Sequence, residues 1–185
     1  MPTSHTNAPP AYATRATIDR PIVLIGMMGV GKSTVGRRLA TRLGLPFIDS
    51  DDAIEEAAGM TVGELFETYG EAQFRDGERR LIARLMDKEP KVVATGGGAF
   101  VDDETRALIL EMATAIWLKA DVDILAERVS RRDTRPLLRH DDPAKVLAEL
   151  MAKRERFYAE AHHHIESGNG AHEQTVDRIL QALAS

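Results

Sequence analysis

Residues 21–25, Pro-Ile-Val-Leu-Ile, form an unbroken apolar, β-branched run, the pattern of a strand buried on both faces. The period then changes: Val35, Leu39, Ala40 and Leu43 share one face of a helix that begins near Lys32 and ends at Gly44, a residue suited to a helix C-cap. The same exchange recurs along the chain. Further strands are predicted over 45–48, 92–95, 113–118 and around 162–165. Helices are predicted over 53–58, after the capping box Thr61-Val62-Gly63-Glu64, over 71–86, from Asp102 or Asp103 to about 112, from Asp121 to 131, from Asp142-Pro143 onward, and over 171–183, where Val176, Ile179, Leu180 and Leu183 are apolar. One of Asp51 and Asp52, with Asp52 preferred, is expected to cap the helix over 53–58. Strands alternating with helices imply an α/β fold, a parallel sheet with helices on both faces.

The turn between the first strand and the first helix carries the chemistry. Gly26-Met27-Met28-Gly29-Val30-Gly31-Lys32-Ser33-Thr34 contains G-x-x-x-x-G-K-S, the phosphate-loop pattern, in the strand–turn–helix setting that the pattern requires. With glycine at about 7% of residues, its four fixed positions coincide by chance on the order of once in 10⁴–10⁵ windows. Glycines let backbone N–H groups approach phosphate oxygens, and the helix start adds the positive end of its dipole. Lys32 is expected at the β- and γ-phosphates and the Ser33 hydroxyl on Mg²⁺.

Other candidates sit at predicted strand ends, where open α/β sheets bind ligands. Asp49 and Asp51 follow the second strand at a spacing that lets one face a metal and the other an acceptor substrate. Gly96-Gly97-Gly98 follows the third, as where backbone approaches a ligand closely. Arg75 lies in the helix over 71–86. The segment 130–142, Ser-Arg-Arg-Asp-Thr-Arg-Pro-Leu-Leu-Arg-His-Asp-Asp, is rich in arginine and poor in helix or strand pattern, and is read as a mobile lid. His162, His163 and His164 alternate faces if they lie in a strand, a poor arrangement for one shared metal.

Length and charge narrow the field. The chain has 185 residues, enough for one full core, and a net charge of −5, so nucleic acid and anionic membranes are not expected as partners. It has no cysteine, which excludes disulfides and thiol catalysis and is compatible with a reducing cytosol. No apolar run is long enough to span a membrane. Residues 1–20, rich in Pro, Ala, Thr and Ser, lack the core of a signal peptide and are read as a flexible tail ahead of a single domain over 21–185.

Taken together, the phosphate loop, Asp49-Ser50-Asp51, Phe74-Arg75, the triple glycine, and Arg135-Pro136-Leu137-Leu138 with Arg154-x-x-x-Tyr158 resemble the shikimate kinase family over essentially residues 22–183. The resemblance implies a three-layer α/β/α nucleoside-monophosphate-kinase-like fold with a five-stranded parallel sheet and a lid over about 130–142. It implies transfer of the ATP γ-phosphoryl group to the 3-hydroxyl of shikimate, on the way to aromatic amino acids, by a cytoplasmic enzyme expected to act as a monomer. It implies ATP contacts from Gly29, Val30, Gly31, Lys32, Ser33, Thr34, Arg128 and Arg135, with Arg128 stacked on adenine and Arg135 brought by the lid to the phosphates. Asp51 would orient or deprotonate the acceptor hydroxyl, Asp49 would join Ser33 at Mg²⁺, and Arg75 and Arg154 would grip the carboxylate beside Gly97 and Gly98. A gluconate kinase on the same fold is the nearest rival, which the two arginines and the triple glycine argue against. A non-catalytic nucleotide-binding relative should have lost Lys32, Ser33 or the acidic pair, and all are present.

Overall fold

The computed structural model describes residues 11–131 and 142–185. The apolar run at the start of the domain becomes β1 (Ile22–Ile25), buried at every position. It lies between β3 (Val92–Ala94) and β4 (Thr114–Lys119), where layers on both faces can cover it. β2 (Phe47–Asp49) and β5 (His163–Glu166) are the edges. All pairings are parallel and the order is β2-β3-β1-β4-β5.

The helices are α1 (Lys32–Leu43), α2 (Ser50–Ala58), α3 (Val62–Tyr69), α4 (Glu71–Leu85), α5 (Asp103–Met112), α6 (Val122–Ser130), α7 (Pro143–Tyr158) and α8 (His172–Leu183). The three-layer α/β arrangement read from the alternation of periods is the one observed. Val35, Leu39, Ala40 and Leu43 form the buried face of α1, which ends at Gly44 in the left-handed conformation. The capping box at Thr61 and Glu64 and the Asp142 cap with Pro143 behind it form as expected. Among the described residues no helix is long and apolar enough to cross a membrane.

Two features differ from what the sequence led one to expect. The cap of α2 is Asp49, not Asp52: its Oδ1 accepts from the N–H groups of Asp51 at 3.0 Å and Asp52 at 3.3 Å, so the helix starts at Ser50. The strand end thus passes straight into the helix, and the aspartate at the junction is the one whose backbone is still extended, as an N-cap must be. Second, the described part of the expected tail is not free. Ala13 and Ile18 are buried in the core, and the Ala13 N–H donates to the Leu180 carbonyl at 2.9 Å. The strand expected around 162–165 is β5; His162 lies on its approach, and its Nδ1 accepts the N–H of Ala115, which places that ring in the sheet's bonding. The expected lid lies outside the described residues except at its ends, and Arg135 with it.

The chain runs from β1 to β2 on one side, then from β3 across β1 to β4 on the other. A crevice therefore opens at the C-terminal ends of β1 and β3, with the β2 end beside it.

Candidate active site

The loop from β1 to α1 is held by its glycines. Gly26, Gly29 and Gly31 have φ of 143°, 82° and 100°, values that other residues adopt only with strain. Lys32 is buried, and its ammonium group donates to the carbonyls of Gly26 at 2.8 Å and Met27 at 2.9 Å, across the loop it belongs to. The Ser33 hydroxyl donates to Oδ2 of Asp49. The two residues expected at a metal are thus together, one oxygen from a hydroxyl and one from a carboxylate, a donor set that fits a hard cation such as Mg²⁺. Asp49 is held in place by its other oxygen, which caps α2.

The triple glycine follows β3. Each of its positions leaves room for charged groups beside it. A Cβ on Gly96 would lie 2.9 Å from Oδ1 of Asp51 and 3.1 Å from Oε2 of Glu78. On Gly97 it would lie 3.0 Å from Nη1 of Arg154, and on Gly98 2.5 Å from Nη2 of Arg75. The same Gly97 position is 3.5 Å from the Gly26 carbonyl, so this wall faces the phosphate loop. The buried Ser50 hydroxyl accepts the Gly96 N–H at 3.2 Å and fixes the start of the turn to α2.

Two helices bring in the arginines. Arg75 on α4 donates to Glu78 Oε1 at 2.8 Å. Glu78 is almost fully buried. Burial pushes its carboxyl up from the usual range, and the Arg75 charge opposes that push. Its second oxygen, Oε2, and Nη1 of Arg154 on α7 are buried with no hydrogen-bond partner among the described residues. Polar atoms left so are costly unless something in the crevice pairs with them. Tyr158, on the same helix as Arg154, donates its hydroxyl to the Gly97 carbonyl, and burial raises its phenol.

On the opposite side, Arg128 of α6 donates to the carbonyls of Gly29 at 3.3 Å, Val30 at 3.1 Å and Gly168 at 2.7 Å. The group expected on adenine is therefore engaged with backbone, tying the phosphate loop to the loop after β5. Ser167 adds a bond to the Val30 carbonyl at 3.2 Å, and the His172 ring lies 3.2 Å from where a Cβ on Gly31 would stand.

Lys32, Ser33, Asp49, Asp51, Arg75, Gly97, Gly98 and Arg154 all meet at this crevice. Glu78, Ser50 and His172 were given no role in the sequence reading. Glu78 had a readable signal, since it stands three residues after Arg75 and such pairs share a helix face. Ser50 and His172 owe their places to contacts between distant elements.

The chain matches the profile of the shikimate kinase family over residues 28–184. A shikimate kinase of Caulobacter vibrioides is 61% identical over 162 residues, covering 88% of this chain and 81% of that protein. One of Novosphingobium aromaticivorans is 56% identical over 170 residues, with 90% and 88% covered. The structure of shikimate kinase from Acinetobacter baumannii in complex with shikimate superposes with a TM-score of 0.86 at 36% identity, covering 90% of this chain and 95% of that one. A gluconokinase from Sinorhizobium meliloti shares the fold, with a TM-score of 0.62 at 23% identity and 90% and 93% covered.

Proposed function

The chain belongs to the shikimate kinase family, and we propose on that premise how its residues divide the work of the reaction. Its activity is transfer of the ATP γ-phosphoryl group to the 3-hydroxyl of shikimate. Such a transfer depends on in-line positioning and on neutralising phosphate charge more than on covalent chemistry.

The observation that carries the acceptor assignment is the seating of Asp51, Arg154 and Arg75 on Gly96, Gly97 and Gly98 in turn. Two guanidinium groups suit one carboxylate, which Arg75 and Arg154 hold. Asp51 orients the acceptor hydroxyl and takes its proton as the new O–Pγ bond forms and the bond from Pγ to the β–γ bridging oxygen breaks, with ADP leaving. The phosphate loop from Gly29 to Thr34 holds the nucleotide, with Lys32 turning from its backbone carbonyls to the β- and γ-phosphates. Arg128 braces the adenine side, and Arg135, outside the described residues, comes onto the phosphates. Ser33 and Asp49 hold Mg²⁺, which supplies charge neutralisation at the phosphates when bound. The enzyme is read as a monomer, and the absence of cysteine is in keeping with the cytoplasm.

ADP release from Mg·ATP tests this directly. Shikimate should stimulate it and gluconate should not; stimulation by gluconate instead overturns the acceptor site and leaves the phosphate site standing. Asp51→Asn should lower kcat by about 10²-fold or more. A change confined to the Mg²⁺ dependence would mean that Asp49 and Asp51 exchange roles.

A further inference from the structure

We infer that Arg106, outside the crevice, is a positioning residue for the acceptor site: it fixes the turn that carries Gly97 and Gly98 to the helix that carries Arg154. The inference rests on the reading of Arg75 and Arg154 as the carboxylate clamp.

Arg106 lies on α5 with its side chain 13% exposed. Nη1 donates to the carbonyls of Phe100 at 3.3 Å and Val101 at 3.1 Å. These close the short 3₁₀ turn Ala99–Val101 that continues from the triple glycine. That turn is one bonded unit with the glycines, since Ala99 N–H donates to the Gly96 carbonyl and Val101 N–H to the Gly98 carbonyl, each at 3.2 Å. A shift at 100–101 is thus passed back to Gly97 and Gly98. On its other side the same guanidinium reaches the end of α7. Nε donates to Glu160 at 3.1 Å, and the plane lies over the Phe157 ring, 4.7 Å from its centroid. Nη2 is paired with Asp103 of its own helix at 2.6 Å.

Among the described residues the turn and α7 share one other hydrogen bond, that from Tyr158 to the Gly97 carbonyl. One hydrogen bond fixes one point between two packed elements, and a second, displaced link adds a restraint on the angle between them. Arg106 supplies the second. It sits on the far side of Phe157, three residues beyond Arg154, so it sets the angle at which Arg154 meets Gly97 beside Arg75 on Gly98. The fork geometry of arginine matters here, because one side chain must serve two carbonyls, a carboxylate and a ring face together.

Steady-state kinetics of the full chain test this, with shikimate and Mg·ATP varied in turn. Arg106→Met keeps the stem and removes the fork; it should raise the KM for shikimate about tenfold and leave the KM for ATP within about twofold. Arg106→Lys, with a cation but no fork, should recover part of the loss, and Asp103→Asn should match the unaltered protein. If Arg106→Met does not fold, Glu160→Ala, which removes the acceptor for Nε beyond α7 and leaves the contact with Phe157, should raise the shikimate KM about threefold. A folded Arg106→Met with the shikimate KM of the unaltered protein, or with both KM values raised equally, overturns the inference, as does an unchanged KM in Glu160→Ala. Arg154→Ala separates the two levels. If it leaves the shikimate KM unchanged, the clamp reading falls and this inference with it; if it raises that KM while Arg106→Met does not, only the role of Arg106 falls.

Discussion

Replacing Gly98 by alanine pits binding against stability in a way the geometry fixes in advance. Gly98 has φ −92° and ψ −12°, ordinary right-handed backbone, so alanine brings no conformational strain. It should even favour the fold by about 0.4–1 kcal/mol by restricting the unfolded chain. The new Cβ, however, would lie 2.5, 2.7 and 2.8 Å from Nη2, Cζ and Nη1 of Arg75. An unstrained contact needs about 3.5 Å, so the guanidinium must retreat by about 1 Å. It has room to do so, being a quarter exposed, at the cost of stretching its bond to the buried Glu78. The two effects on stability oppose each other, and Tm should move by only a few degrees, roughly what about 1 kcal/mol produces in a domain of this size. Binding has no such offset. A charge-assisted bond to the substrate carboxylate is worth about 1.5–3 kcal/mol, and losing most of it corresponds to a shikimate KM raised about 10- to 100-fold.

The assay is coupled ADP release with shikimate varied at saturating Mg·ATP and the reverse, beside a thermal melt. Gly97→Ala supplies the graded comparison. Its Cβ would be 3.0 Å from Arg154, so the required shift is half as large and the rise in KM should be smaller. A shikimate KM for Gly98→Ala within about twofold of the unaltered protein would refute the reasoning, as would an equal rise in the KM for ATP.

Lys32→Ala should abolish turnover in a protein that still melts cooperatively; turnover near that of the unaltered protein would remove the assignment of the loop. Asp102 caps α5 and is held at about 2 rather than 3.8, chiefly by its hydrogen bond from Arg79. A depressed carboxyl stabilises the fold above its ordinary value, and the contribution is lost as pH falls through 4 towards 2. With Arg79 over a third exposed, solvent screening brings the upper bound of about 2.4 kcal/mol down to about 1 kcal/mol, so Asp102→Asn should flatten the acid limb of a stability–pH curve by that amount. His163 is held below its ordinary 6.5, first by burial and then by the charges of His162 and His164. The neutral ring is the one the fold accepts, so stability is full above 6.5 and declines as pH falls below it. His163→Gln should remove that part of the decline in urea titrations, and an unchanged curve would count against it.

What could be read from residue order alone follows the physics of each signal. The sheet and its helices were legible because burial on both faces leaves an unbroken apolar run, as at Ile22–Ile25, and burial on one face leaves a period, as at Val35, Leu39 and Leu43. The phosphate loop was legible because its backbone requires glycine at fixed spacing, and Gly26, Gly29 and Gly31 do take positive φ. The cap of α2 was misplaced by three residues. Each of Asp49, Asp51 and Asp52 can cap, and only the path from β2 into the helix decides which backbone is still extended.

The triple glycine shows where such reading stops. Three glycines after a strand say that something comes close to the backbone, but not what comes or from which direction. Here each position is occupied by a group from a different part of the chain: Asp51 and Glu78 at Gly96, Arg154 from α7 at Gly97, Arg75 from α4 at Gly98. The separations in sequence, from about twenty to nearly sixty residues, are set by topology rather than by local pattern. The same holds for Glu78, whose proximity to Arg75 on the helix was readable but whose burial was not, and for Arg106, which reads as one more surface arginine until the turn and α7 are seen on either side of it. Glycine at these positions is therefore a requirement of the charged groups beside it. A side chain on the turn displaces the clamp without unfolding the sheet, which is why substitutions at Gly97 and Gly98 separate recognition of the acceptor from stability.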